Sequence, residues 1–411
     1  MSTIHKGGPD GSALSRAVPL DPAVFARDYW GRRPLFTRAA DLERDSTDLL
    51  DRDDVDDLVA DRALRTPFAR MAKEGTVLAA SAFTGSGGFG AEIGDQLDSR
   101  KVLAEFAAGA TLVLQGLHRT WPPLARFARQ LAAELGHPVQ INAYITPASA
   151  RGFDPHYDVH DVFVLQVHGE KHWTIHEPVH MDPLRDQPWT DHRDAVAARA
   201  RETPAIDETF RPGDALYLPR GWIHSAVALG GTSIHLTVGV AAYTRQDLVT
   251  RLVDRVAASA ELRSALPMAW QAAELGDELD ATIDALVAVL ESARRDPSAL
   301  DAIASGLERR RARDIPADPV RPLATVDAMT SLGADDVVRR RPGLLIRLDG
   351  GPERVRIVLP DRSISLPAAA RAAVERLLSG EPIRVGDLPE LDVDSAAVVV
   401  RRLLGEGVLV P

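Results

Sequence analysis

The chain has 411 residues, 45% of them hydrophobic, and a formal net charge of −11, so it is long enough for two or three domains with sizeable cores. It contains no cysteine, which excludes disulfide bonds and thiolate-bound metals. It has no run of about 18 apolar residues and no apolar secretion signal at its start. We therefore expect a cytoplasmic protein without a membrane-spanning helix.

The first part of the chain predicts a leader and an acidic surface. Residues 1–18 are rich in Gly and Ser, and we expect them to be disordered. Residues 41–61 contain ten Asp or Glu and two Arg, a net charge of −8. Such a run is typical of the solvated face of a helix, and it also suits the attraction of a basic partner. The sequence leaves both interpretations open.

The centre of the chain alternates short apolar runs with turn residues. Gly169 and Glu170 predict a turn between two of these runs. The predicted strands are 161–167, 171–176, 215–218 and, in two pieces around Gly230-Gly231, 225–240. A series of short strands separated by turns is typical of a small antiparallel barrel.

Two histidines and one aspartate in this region form a candidate metal site. His156 and Asp158 are separated by one residue, so on an extended backbone their side chains point the same way. His224 follows a predicted strand and the turn 219–221, and it can complete the set. Two imidazoles and one carboxylate cover one face of an octahedral Fe(II) and leave the opposite positions open for substrate and O2.

The same region resembles the JmjC family of Fe(II)- and 2-oxoglutarate-dependent oxygenases, and within that family the JmjC ribosomal oxygenases. The resemblance covers roughly residues 20–243 and is looser beyond. The matching phrases are Phe25-Ala-Arg-Asp-Tyr-Trp-Gly-Arg-Arg-Pro-Leu35, Asn142-Ala-Tyr-Ile-Thr-Pro147, Pro155-His-Tyr-Asp158, Asp161-Val-Phe-Val-Leu-Gln166, Gly169-Glu-Lys-His-Trp173, Gly213-Asp214, Pro219-Arg-Gly221 and His224.

The resemblance implies an α+β protein built on a double-stranded β-helix, the JmjC or cupin jelly-roll barrel, with Fe(II) and 2-oxoglutarate as cofactors. The implied Fe(II) ligands are His156, Asp158 and His224. The residues implied for 2-oxoglutarate are Lys171, which would hold its distal carboxylate, and Asn142, Tyr144 and His235, which would line its pocket.

Lys171 is unusual on its own account. The chain has four lysines against 44 arginines, and this one lies in an otherwise apolar predicted strand. A buried cation needs an anionic partner. A dicarboxylate ligand provides one, and an ion pair with a nearby Asp or Glu is the alternative.

Nine of the twelve histidines lie between residues 156 and 235. His168, His172, His176 and His180 recur every four residues, as on the zinc-binding face of a helix. Gly169, the β-favouring residues around Trp173, and Pro178 disfavour a helix there. We therefore expect these four histidines, with His160 and His192, to lie at the surface or behind the metal ligands. His160 is two residues from Asp158, so on an extended backbone the two side chains point the same way. The sequence therefore leaves open whether His160 faces the pocket.

The remaining chain predicts two further domains. Residues 245–266 and 277–311 show the apolar spacing of amphipathic helices, and the related oxygenases dimerise through helices at this place. Packing within one chain is the alternative. A proline-rich linker follows at 316–322. The expected organisation is a leader (1–18), a catalytic domain (19–244), a helical dimerisation region (245–315) and a C-terminal domain (323–411).

The C-terminal domain resembles a winged helix. Residues 344–348 and 355–359 predict a hairpin, 366–378 and 395–404 predict helices, and 407–410 predicts a closing strand. Residues 339–411 contain twelve Arg and ten acidic residues, and the second helix is mostly apolar. We therefore expect partner docking or a structural role rather than DNA recognition.

We expect a hydroxylase that acts on a side chain of a protein, with Arg or His of a basic ribosomal protein as candidates, and that forms a homodimer. The alternatives within the chemistry are a peptide or small metabolite as substrate, or removal of methyl groups. A cupin-type isomerase or hydrolase with Zn or Mn would usually need a fourth protein ligand. An inactive regulator that works through its winged helix is the remaining alternative.

Overall fold

The computed structural model describes residues 11–73, 75–90, 92–148, 154–272 and 275–411. The chain divides into two compact units, Met1–Ala242 and Tyr243–Pro411. The division falls two residues before the predicted end of the catalytic domain at residue 244.

Residues 1–10 of the predicted leader lie outside the described residues, but residues 11–18 are ordered. Leu14 and Val18 belong to the buried core of the first unit. The backbone N–H groups of Ala13 and Leu14 donate to the carboxylate of Glu134. The expectation of disorder therefore does not hold for residues 11–18, because their apolar side chains are buried.

The first unit is built around one large antiparallel sheet. The strands of this unit are β1 (Leu35–Thr37), β2 (Ala69–Lys73), β3 (Thr76–Val77), β4 (Thr84–Gly85), β5 (Gln96–Leu97), β6 (Thr111–Leu114), β7 (Val139–Thr146), β8 (Asp161–His176), β9 (Ile206–Phe210), β10 (Ala215–Leu218) and β11 (Ile223–Val240). The helices are α1 (Pro22–Asp28), α2 (Arg52–Ala60), α3 (Ser99–Ala107), α4 (Leu117–Thr120), α5 (Pro122–Leu135) and α6 (Arg193–Arg199). The strand order of the sheet is β1-β10-β8-β11-β7-β6-β2-β3, with β9 paired to β8.

Two long strands, β8 and β11, lie at the centre of this sheet, which corresponds to the antiparallel barrel that the sequence predicts. They pair antiparallel from one end to the other, between His176↔Ile223 and Asp161↔Val240. The sequence predicted each of them as two short strands. Each is one strand, because a glycine with positive φ, Gly169 in β8 and Gly230 in β11, bends the strand at a bulge where the register shifts, and the pairing resumes beyond it.

The second unit begins with helices and ends with a small mixed domain. Its helices are α7 (Arg245–Val253), α8 (Leu275–Arg295), α9 (Pro297–Asp314), α10 (Pro322–Ser331), α11 (Arg371–Leu378) and α12 (Val393–Gly405). Its strands are β12 (Val337–Arg340), β13 (Arg347–Gly350), β14 (Arg354–Val358), β15 (Ser363–Pro367), β16 (Ile383–Arg384) and β17 (Leu409–Val410). Among the described residues, no helix has both the length and the apolar character needed to cross a bilayer.

The helices of the second unit differ from the prediction in their ends. The segment predicted as one helix over 277–311 is broken, because Asp296 caps α9 and Pro297 occupies its first turn. The segment predicted as a helix from residue 366 begins as β15 instead, because alternate residues Ile364 and Leu366 are buried. The winged-helix assignment of the C-terminal domain stays a prediction.

Candidate metal centre and cosubstrate pocket

The structure brings His156, Asp158 and His224 together at one end of the barrel. Their ligand atoms all lie within 4.8 Å of one another, and His224 Nε2 is 3.7 Å from an oxygen of Asp158. Backbone pairing sets this arrangement: His156 N donates to His224 O at 3.2 Å, and His224 N donates to His156 O at 2.8 Å. Residues 149–153, which precede this segment, lie outside the described residues.

Both histidines are oriented through their second ring nitrogen. Nδ1 of His156 lies 2.7 Å from the carbonyl oxygen of Asp154, and Nδ1 of His224 lies 3.1 Å from that of Trp222. A carbonyl accepts only from a protonated Nδ1, so in each ring Nε2 keeps its lone pair for a metal.

The charge states of Asp158 and His224 also suit a divalent metal. Burial, together with His156, lowers the pKa of His224 to about 4, so this ring is neutral at pH 7. Burial opposes ionisation of Asp158, but the neighbouring imidazoles and Arg70 outweigh it, so the pKa of Asp158 lies below its usual range. Neutral imidazoles and an ionised carboxylate are the forms that bind metal ions. Among the described residues, no fourth His, Asp or Glu joins the set.

A pocket extends from the triad into the barrel, with a buried lysine in its wall. Lys171 is 3% exposed, and burial lowers its pKa to about 7. Its Nζ donates to Thr146 Oγ1 at 3.2 Å and lies 3.5 Å from His235 Nδ1. The pocket is lined by Thr111, Tyr144, Thr146, His156, Asp158, Val162, Val164, Lys171, Trp173, Leu218, His224, Ser225, Ala226, His235 and Thr237.

No carboxylate among the described residues forms an ion pair with Lys171. Of the two partners that the sequence left open, the local Asp or Glu is therefore not found in the part of the chain that the structure describes. A buried cation that faces a pocket next to a metal site fits an anionic ligand bound in that pocket.

The other predicted pocket residues divide into two groups. Tyr144 and His235 lie in the wall, where their rings stack with centroids 5.0 Å apart. Burial, with Lys171 nearby, places the pKa of His235 well below its usual value, so the ring is neutral. Asn142 lies beside the wall instead, and its side-chain oxygen accepts the backbone N–H of Gly116 at 3.0 Å.

His160 lies behind the triad rather than in the pocket. Its ring packs over Gly239, where an added Cβ would lie 2.6 Å from the ring. It is the imidazole that most favours the charged form of Asp158. His168, His172 and His176 lie on β8, a strand, which agrees with the rejection of a helical zinc face.

Thr146 and Arg70 are among the polar residues of the site that were not predicted from the sequence. Thr146 accepts from Lys171 and lies on the same side of β7 as Asn142 and Tyr144, because the three are two residues apart along the strand. This alternation was sufficient to predict it. Arg70 lies on β2 and reaches the hydroxyl of Tyr144 at 3.5 Å. Its position follows from pairing across β2, β6 and β7, which the sequence alone does not give.

Comparison with known proteins identifies the barrel. The family model of the JmjC domain matches residues 117–248. Residues 117–248 form a JmjC domain. Its triad fits Fe(II), and its buried cation fits a dicarboxylate beside the metal, so Fe(II) and 2-oxoglutarate are the cofactors of this JmjC domain.

Curated relatives of the JmjC domain include ribosomal oxygenases. Ribosomal oxygenase 2 of Bos taurus is 34% identical over 166 residues, which cover 38% of this chain and 34% of the relative. The bifunctional lysine-specific demethylase and histidyl-hydroxylase NO66 of Drosophila persimilis is 35% identical over 139 residues, which cover 32% of this chain and 19% of the relative. The chain thus spans about a third or less of the length of these relatives.

Solved structures show the same fold. Escherichia coli ribosomal oxygenase YcfD is 18% identical with a TM-score of 0.52, and the match covers 95% of this chain and 98% of that one. A structure of the same protein in complex with cobalt and succinic acid gives the same identity and TM-score. The chain is therefore similar in fold to YcfD over nearly its whole length.

Proposed function

We propose that this protein is an Fe(II)- and 2-oxoglutarate-dependent oxygenase that hydroxylates a side chain of a protein substrate. The observation that supports it best is the pairing of an oriented His156–Asp158–His224 triad with the buried Lys171 in one pocket. A metal isomerase or hydrolase has no use for such a cation.

Each part of the pocket has a task in this reaction. Fe(II) and 2-oxoglutarate, when bound, would supply the oxidation, in which one oxygen atom of O2 enters a C–H bond of the substrate and the other enters succinate as 2-oxoglutarate loses CO2. The triad holds one face of the metal and leaves the other face for ligands. Lys171 binds the distal carboxylate through a charge-assisted hydrogen bond. The apolar side chains of Val162, Val164 and Leu218 exclude water from the reacting centre.

The substrate we favour is an Arg or His side chain of a basic ribosomal protein. The names of the relatives, ribosomal oxygenase and bifunctional lysine-specific demethylase and histidyl-hydroxylase, support a ribosomal protein and its His side chains. Arg is a candidate from the sequence resemblance alone. The test is succinate release from 2-oxoglutarate with Fe(II) and a panel of ribosomal proteins, followed by mass spectrometry. A gain of one oxygen atom is the expected result. Loss of methyl groups would indicate a demethylase, and turnover of free metabolites alone would exclude a protein substrate.

The acidic helix α2 predicts a salt-dependent encounter with a basic substrate. Val55 and Leu58 are buried, whereas Asp53, Asp56 and Asp57 are exposed. Turnover of a basic protein is expected to fall as salt rises, because the Debye length shrinks to about 8 Å near 0.15 M salt. Changing these three aspartates to lysine should remove the salt dependence of kcat/KM.

A matched control changes three exposed aspartates of the second unit to lysine, namely Asp301, Asp335 and Asp361. This variant has the same net charge and should keep the salt dependence. Equal behaviour of the two triple variants would show that net charge alone matters and that α2 does not steer the substrate.

We further propose that α7 and α8 pair two chains. Their apolar side chains Leu248, Val253, Leu279, Ile283 and Val287 are each at least 43% exposed in the single chain, and a two-fold homodimer is the simplest way to cover such a face. Light scattering at micromolar concentration should give twice the 44.4 kDa of one chain.

The double variant Ile283→Asp/Val287→Asp should give the mass of one chain. Ala288→Asp, on the opposite side of α8 and also exposed, should remain a dimer. A wild-type mass near that of one chain would contradict the proposal.

A further inference from the structure

A buried carboxylate lies at the start of β8, three residues after the metal ligand Asp158. Asp161 is fully buried and accepts the hydroxyl of Tyr217 at 3.1 Å and the backbone N–H of Arg220 at 2.9 Å. The guanidinium of Arg220 lies 3.7 Å from the same carboxylate and 3.3 Å from Asp182. The hydroxyl of Tyr217 accepts in turn from the backbone N–H of Gly31 at 2.8 Å.

This carboxylate is joined to the metal ligands through the turn 219–221. The backbone N–H of Gly221 donates to the carbonyl oxygen of Asp158 at 3.0 Å. The next residue, Trp222, supplies the carbonyl that orients the ring of His224. The turn that Asp161 holds on one side therefore touches one metal ligand and sets the orientation of another.

The turn has little freedom to move. Gly221 has φ +88°, and an added Cβ would lie 2.6 Å from the carbonyl oxygen of His180 and 2.9 Å from Pro183. Its position is thus set by close packing on one side and by Asp161 on the other. Loss of the contacts of Asp161 would release the other side of this turn, which contacts Asp158 and orients His224.

We propose that Asp161 is a positioning residue of the metal centre. With Arg220 it fixes the turn 219–221, so that Asp158 and His224 keep the spacing that one metal ion requires. A buried ion pair adds little net stability in comparison with apolar packing, so stability alone does not account for its presence. Groups behind metal ligands typically contribute roughly ten- to a hundredfold to metal affinity. The inference rests on the metal site of the proposed function.

The same barrel offers a matched control. Asp214 is also buried and accepts two backbone N–H groups, from Ala39 at 2.9 Å and Arg211 at 3.0 Å. It also pairs with the guanidinium of Arg38 at 2.9 Å. Its bonding resembles that of Asp161, but its side-chain partners do not belong to the turn 219–221 or to the triad.

The experiment is a titration of the full chain with Mn(II) alone, together with thermal unfolding of the metal-free protein. Asp161→Asn puts a donor where Tyr217 or Arg220 needs an acceptor, and we expect it to weaken Mn(II) binding by roughly ten- to a hundredfold. Asp214→Asn should lower the unfolding temperature and leave Mn(II) affinity within about twofold of wild type, since its partners do not reach the ligands.

A milder variant keeps the test open if Asp161→Asn does not fold. Tyr217→Phe removes the hydroxyl that donates to Asp161 and accepts from the backbone N–H of Gly31, but it keeps the Asp161 carboxylate, and it should weaken Mn(II) binding in the same direction. The double variant Asp161→Asn/Arg220→Gln should lose less free energy of Mn(II) binding than the sum of the losses in Asp161→Asn and Arg220→Gln. The reason is that both residues act through the same turn.

Unchanged Mn(II) affinity in Asp161→Asn or Tyr217→Phe would overturn the inference, as would an equal loss in Asp214→Asn. These outcomes leave the oxygenase proposal standing. Wild-type protein that binds Mn(II) but never turns over 2-oxoglutarate would reject the oxygenase instead, and the positioning role would still be measured by the titration.

Discussion

Asp158→Ala is expected to abolish 2-oxoglutarate turnover. The triad contains one anionic donor, and without it two neutral imidazoles face a divalent ion with no charge compensation. The loss of Mn(II) affinity should exceed the roughly ten- to a hundredfold loss that follows removal of a group hydrogen-bonded to a metal ligand. Mn(II) titration and succinate release are the two measurements, and both should fall below detection.

The control for this variant is Asp207→Ala. Asp207 lies on β9 of the same barrel, is exposed and pairs with His172, so its loss should leave turnover and Mn(II) affinity unchanged. An Asp158→Ala protein that still binds Mn(II) and releases succinate would move the metal site elsewhere. Activity that returns with Zn(II) and needs no 2-oxoglutarate would favour the cupin isomerase or hydrolase.

The sequence predicted the three residues of the triad, although not the local structure that joins them. The spacing of His156 and Asp158 predicts an extended strand, on which alternate side chains point the same way. In the structure β8 begins only at Asp161, and His156 instead forms a single bridge with His224. The residues meet because this bridge joins two segments nearly seventy residues apart, a pairing that spacing along the chain does not show.

The same limit applies to the network behind the triad. Asp161 and Arg220 lie in phrases that resemble the JmjC oxygenases, but nothing in the sequence connects Asp161 with Tyr217 or Arg220. Their contacts span 56 to 59 residues and arise only when β10 pairs with β8. Periodicity predicts which side of a strand is buried, but the register between strands decides which polar groups meet.

The helical region shows what amphipathic spacing can and cannot decide. It predicted helices over most of 245–311, and α7, α8 and α9 are present. The helix ends were wrong where Asp296 and Pro297 start a new helix. The spacing of apolar residues also does not identify the surface that covers an apolar helix face. A second copy of the chain and another part of the same chain would bury the same side chains.

Lys171→Ala is expected to raise the 2-oxoglutarate concentration needed for half-maximal turnover by roughly ten- to a hundredfold, the value of one charge-assisted hydrogen bond. Mn(II) affinity should stay close to wild type, because Lys171 contacts Thr146 and His235 rather than the triad. Lys101→Ala removes a lysine that donates to the carbonyls of Ser81 and Thr84 and should change neither quantity.

The low pKa of Lys171 adds a pH dependence with a defined sign. Burial lowers that pKa to about 7, so below pH 7 the ammonium is present before the cosubstrate binds. Above pH 7 the lysine is increasingly neutral in the empty pocket, and binding of the carboxylate must take up a proton. The requirement for 2-oxoglutarate should therefore rise with pH, by up to about tenfold per pH unit. Lys171→Arg keeps its charge throughout this range and should remove that rise, while a Lys171→Arg profile that matches wild type would assign the pH dependence to another group.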